Sequence, residues 1–111
     1  MNRKKPRSYS PRTLEATRLL GAHVRLARRS RRWTVQGLAD RLGVTHVTVR
    51  KIETGDPTVR LGSAFEAASI LGVPLFHEDP AQVSLDLDRT ESRLALLPAA
   101  VRQSIVIDDD F

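Results

Sequence analysis

The chain has 111 residues, enough for one compact domain with tails and too few for a second domain of ordinary size. Hydrophobic residues at 41% and charged residues at 28% exclude wholesale disorder, and the absence of cysteine excludes disulfides and thiolate-held zinc. No apolar run approaches the roughly 20 residues that span a bilayer, and none follows the basic start as in a signal peptide. A soluble, cytoplasmic protein without a membrane partner is therefore expected.

The net charge of +5 is unevenly spread: residues 1–60 hold 15 Lys/Arg against 4 Asp/Glu, and residues 61–111 hold 3 against 9. The basic half suits a polyanion such as nucleic acid, and the acidic half suits a different task.

In chain order, residues 1–13 (MNRKKPRSYSPRT) read as a flexible basic arm, with Thr13 placed to cap the first helix. The apolar spacing of Leu20, Val24 and Ala27, with Leu19 and Leu26 alongside, predicts that helix from Leu14 to about Arg31. Trp33 comes next as an anchor at the turn. Thr34 caps a second helix of about eight residues that ends at Leu42, and Gly43 supplies the left-handed stop. Thr45 caps a third, running to about Thr54 before Gly55. Pro57 lies in a loop, and a fourth helix runs from about Leu61 to Leu71 with Leu61, Phe65 or Ala64, Ala68 and Leu71 on one face. Gly72 closes it, and Val73, Leu75 and Phe76 are expected to pack back on the core. HEDPAQ reads as a turn or linker, Arg89 to Leu97 as a short helix, and SIVI at 104–107 as a possible strand. The resulting division is an arm over 1–13, a domain over 14–76 and a C-terminal segment over 77–111.

Residues 35–54 carry the decisive spacing. Two short helices that cross steeply need a small residue at the approach, here Ala39, and a glycine corner, here Gly43. Leu38, Leu42, Val44, Val49 and Ile52 then point inward from both. These seven positions fit a helix-turn-helix unit, whose second helix presents its N-terminal end to the major groove.

The stretch LGAHVRLARRSRRWTVQGLADRLGVTHVTVRKIETGDPTV resembles the XRE/Cro-type helix-turn-helix repressors over about residues 18–75. The resemblance implies an all-α, lambda-repressor-like domain of four to five helices that binds a palindromic operator in double-stranded DNA as a homodimer. Within that class, GDPTVRLGSAFEAASILGVPLF and the acidic DDDF end look most like HipB-type antitoxins, which implies a HipA-like kinase toxin as partner and repression of the chain's own operon. One departure stands out. The family often has glutamine directly after the threonine that opens its second helix, but here Val35 takes that place and Gln36 comes next. Thr34 and Gln36 stand as the candidate backbone contacts there.

His46 and Val47 match family positions that face base pairs, and Val47 offers an apolar contact such as one to a thymine methyl. Lys51 is assigned to a base, Arg50 to backbone, and Thr45 and Thr48 to caps that also touch phosphate or base. The family pattern pairs Glu53 with Arg28, and the carboxylate is expected to aim the arginine's planar fork at phosphate. Thr58 and Arg60 are further phosphate candidates, and Arg3, Lys4, Lys5 and Arg7 of the arm are expected along the backbone or in the minor groove.

His23, His46 and His77 lack metal-ligand spacing, and no nucleophile–base pair, phosphate loop or carboxylate pair is found, so no enzyme activity, metal or cofactor is expected. Leu75, Phe76, Leu94, Leu96 and Leu97 are candidates for dimerisation. Leu94, Leu97, Ile105, Ile107 and Phe111 form the candidate partner-binding set. Two alternatives stay open beside the antitoxin-repressor: a protein-interaction module that chiefly neutralises a toxin, and a stand-alone regulator without a toxin partner.

Overall fold

Five helices, α1 (Pro11–Ser30), α2 (Val35–Leu42), α3 (His46–Thr54), α4 (Leu61–Ile70) and α5 (Pro80–Leu96), make up the secondary structure of a computed structural model that describes residues 8–98. The fold is all-α, with no strand among the described residues. The chain divides between Leu75 and Phe76 into two units, the first holding α1–α4 and the second α5. Ile105, Ile107, Phe111, the SIVI segment and the arm residues Arg3, Lys4, Lys5 and Arg7 lie outside the described residues.

Local chemistry explains most helix ends. Thr34 caps α2 by accepting the Gly37 N–H at 2.9 Å, and Thr45 caps α3 by accepting the Thr48 N–H at 3.3 Å. Gly43 and Gly55 end these helices in the left-handed region. Two helix starts differ from the sequence reading. α1 begins at Pro11, with Ser10 rather than Thr13 as its cap, so residues 11–13 are helical and not arm. α5 begins at Pro80 instead of Arg89, capped by Asp79, whose carboxylate accepts the Ala81 N–H at 3.0 Å. Each proline takes a first-turn position, where its missing N–H costs nothing and its fixed φ suits the helix.

α1 packs on α3, α2 on α3, and α4 on both α1 and α2. Val24, Leu38, Ala39, Val49, Ile52, Ala64, Ala67, Ala68, Leu71 and Val73 form the core, and Leu20, Ala27, Trp33, Leu42 and Val44 pack against it half-buried. On α4 the three alanines and Leu71 face inward, while Leu61, expected on that face, is 67% exposed. Leu19, Leu26 and Phe76 are likewise exposed, not buried in the core.

Gly21 brings α1 against the end of α3. A Cβ there would meet the Ile52 carbonyl oxygen and lie 2.7 Å from that of Glu53, so no other residue fits without moving backbone. Gly55 combines φ of +79° with a similar approach, since its Cβ would stand 2.6 Å from the Arg18 Cα.

Candidate nucleic-acid interface

α3 has one face fixed and one face open. Val49 and Ile52 are buried, and the Glu53 side chain is 6% exposed. Val47, Arg50, Lys51 and Thr54, spaced i, i+3, i+4 and i+7, form the opposite, exposed stripe. His46 is also exposed at the first position of the helix. The open end of the helix carries N–H groups that attract phosphate, beside the hydroxyls of Thr45 and Thr48, 3.3 Å apart.

Two recesses flank this stripe. The larger, about 420 Å³, is lined by Thr45, Thr48 and Lys51 of α3, Thr58 and Arg60 of the following loop, and Ser63 of α4. It gathers five of the candidate residues, and Ser63 is an addition that the sequence reading missed. Its loop wall is held by Asp56, whose Oδ1 accepts the Thr58 hydroxyl at 2.6 Å and the Thr58 N–H at 2.8 Å. These two hydrogen bonds, with a smaller effect of the Lys51 charge, hold the Asp56 carboxyl below the usual carboxylate range. The smaller recess, about 220 Å³, is lined by Arg25 and Arg28 of α1, Val35 of α2, and Arg50, Glu53 and Thr54 of α3. Arg25 also escaped the sequence reading. Its only signal there was a place in an arginine-rich helix, which does not say which arginines border α3.

The remaining candidates on α2 sit elsewhere. The Thr34 hydroxyl is engaged with Gly37, although the residue is exposed. Gln36 is exposed and donates to Asp40 Oδ1 at 2.8 Å, one turn along its own helix. Val35 packs half-buried against the core.

Arg28 and Glu53 do pair, but the result corrects the expected direction. Arg28 Nε donates to Glu53 Oε2 at 2.6 Å, Nη2 to Oε1 at 3.0 Å, and Nη1 to the Trp33 carbonyl at 2.8 Å. The two side chains are only 10% and 6% exposed, so the guanidinium is turned inward and joins α1, α3 and the α1–α2 turn instead of facing phosphate. The hydrogen bonds that Arg28 donates to Glu53, helped by the carboxylate charge, raise the arginine's already high pKa against the opposing effect of burial. Arg41 lies over the Trp33 ring, its guanidinium carbon 3.8 Å from the ring centroid.

Among the described residues no group of three or more His, Asp or Glu gathers as a metal site would, and no helix is long and apolar enough to cross a membrane. Leu94 is 53% exposed and Leu97 half-buried.

No curated protein and no solved structure matches the chain. A family model described as a helix-turn-helix domain matches residues 19–78, more than half of the 111. That span runs from within α1 through α4 and holds both recesses and the open face of α3. The chain belongs to the helix-turn-helix domain family, in its XRE/Cro-like class.

Proposed function

We propose that the protein is a sequence-specific, double-stranded-DNA-binding repressor that acts as a homodimer on a palindromic operator. The observation that carries this reading is the two-sided α3: nine residues, about 13 Å long, with one side locked into the core and the other presenting Val47, Arg50, Lys51 and Thr54. A B-DNA major groove about 12 Å wide admits such a helix. Phosphates on either side of the groove meet Thr45, Thr48, Thr58 and Arg60 in one recess and Arg25 and Arg50 in the other. His46, Val47 and Lys51 read base edges, and cationic side chains supply affinity through counterion release. Two copies read half-sites about 34–36 Å apart.

The test is Lys51→Ala against an operator selected from random duplexes. Binding to the operator falls by about 1–3 kcal/mol while binding to random duplex changes much less. Equal losses on both duplexes assign Lys51 to phosphate and remove it from the specificity set.

Antitoxin action is the finer part of this reading, supported by the HipB-like wording of residues 55–76. Coexpression with a HipA-like kinase encoded beside the gene tests it: rescue of growth that fails without this chain supports it, and toxicity unchanged by the chain leaves a stand-alone regulator.

A further inference from the structure

We propose that α5 is a short antiparallel seam that pairs two copies of the chain. This rests on the two-copy reading above and adds the surface, the register and the orientation. Val83, Leu87, Thr90, Leu94 and Leu97 recur with 4-3-4-3 spacing, the 3.5-residue period of a helix that packs along another helix. The first four fall on one narrow stripe of α5 and Leu97 follows as its C-cap; Val83 and Leu97 are half-buried, no residue of α5 is buried, and Leu87 is 57% and Leu94 53% exposed.

The charges beside the stripe choose the occupant. Asp86 and Arg93 flank one side, and Ser84 and Glu91 flank the other. In an antiparallel pair of α5 helices, Val83 meets Leu94 of the second copy and Leu87 meets its Thr90. Asp86 then faces the second copy's Arg93, and symmetry repeats that attraction. In a parallel pair of the same stripes, Asp86 faces the second copy's Glu91, and symmetry repeats that repulsion. Flanking charges of this kind set strand orientation in helical pairs. α5 has 17 residues, shorter than the three to four heptads of a self-sufficient coiled coil. The pair is therefore weak in free solution and strengthens on DNA, where adjacent half-sites raise the local concentration of one copy around the other.

Sedimentation equilibrium of the full chain without DNA, across the micromolar range, tests the proposal, with helical content checked by circular dichroism. Asp86 and Arg93 are exposed, so their substitution leaves the fold in place. The wild type associates reversibly. Asp86→Arg weakens association by about fivefold to tenfold, Arg93→Asp does the same, and the double exchange restores it, because two cross-pairs change sign each time. Strengthening by Asp86→Arg means a parallel pair and overturns the proposal. A wild-type pair indifferent to both charge changes, or a wild type that stays monomeric across that range, overturns the surface and leaves the two-copy reading standing; a parallel run with operator duplex in which only one copy binds overturns both.

Discussion

Glu53→Ala tests what the Arg28–Glu53 pair does. Arg28 carries five N–H donors, and three of them are used: two by the carboxylate and one by the Trp33 carbonyl. Removing the carboxylate takes the partner from two of these donors and leaves an uncompensated charge in a side chain that is 10% exposed. Breaking a buried pair from one side costs about 3–5 kcal/mol, against about 0–1 kcal/mol for an exposed pair. The low side-chain exposure on both sides places the loss toward the larger figure, at its lower end because both residues also line the smaller recess. A domain of this size has about 5–15 kcal/mol in total, so the variant loses a large share of its stability. Trp33 is the only tryptophan, and its carbonyl takes one of the Arg28 bonds, so its fluorescence during urea unfolding reports on this junction. The midpoint falls by about 2 M. Glu53→Gln, which keeps the shape and one acceptor, falls between the two. A loss under about 1 kcal/mol in Glu53→Ala would refute the reasoning, because the pair would then be acting as an exposed, orienting contact.

Three further outcomes rest on backbone and loop geometry. Gly21→Ala pushes a methyl into the Ile52 and Glu53 carbonyls and lowers stability by at least about 1–3 kcal/mol in urea unfolding; a neutral result would mean that α1 and α3 separate freely. Arg32 holds φ of +59° where the turn after α1 donates the Trp33 N–H back to the Arg28 carbonyl. Arg32→Gly therefore raises the thermal midpoint, with about 1 kcal/mol of strain relieved, and a lowered midpoint would show that the side chain contributes more than its backbone costs. The Asp56 carboxyl is bonded in the fold and free in the unfolded chain, so its pKa is lower when folded. Its contribution is complete above the unfolded value of about 3.9 and fades as pH falls through the lower folded value. Asp56→Ala flattens the acid limb of the stability–pH profile, and an unchanged limb would assign the acid sensitivity to other carboxylates.

Legibility in the sequence tracked the range of the interaction. The ends of α2 and α3 were readable because Thr34, Gly43, Thr45 and Gly55 act on backbone within three residues of themselves. The starts of α1 and α5 differ from the sequence reading, which takes residues 1–13 as an arm and HEDPAQ as a turn or linker, whereas Pro11 and Pro80 open helices behind Ser10 and Asp79. The inward face of the helix-turn-helix pair was legible from apolar spacing. The face of α4 was not, because a helix with Ala64, Ala67 and Ala68 packs its small residues inward and leaves Leu61 outside. Among the site residues, Arg28 shows the limit most clearly. Its partner was readable from the family pattern, but its direction depends on Trp33 and on burial, which are set by the approach of three segments distant in sequence. Arg25 and Ser63 were missed for the same reason, since only the packed helices bring them beside α3.

The composition of α3 connects its folding to its use. HVTVRKIET contains five β-branched residues in nine and has weak intrinsic helix propensity. Such a segment does not hold a helix alone. The Thr45 cap, the Gly55 stop, the buried Val49 and Ile52 and the Glu53 pairing hold it instead. In the proposed DNA-binding reading the same β-branching serves the outer face. Arg50 and Lys51 each lose rotamer freedom of the order of 2 kcal/mol when they are fixed against a ligand, whereas Val47 and Thr48 are already restricted at χ1. Contacts from stiff side chains on a clamped helix lose little entropy on binding and penalise a misplaced base edge, because they cannot swing to accommodate it. In the proposed reading Arg50 is the flexible cation that tolerates any phosphate in reach, whereas Lys51 gives up rotamer freedom to reach a base edge. On that reading, discrimination by Val47 and affinity from Arg50 share one short helix, and both depend on a tertiary clamp strong enough to keep a poor helix former helical.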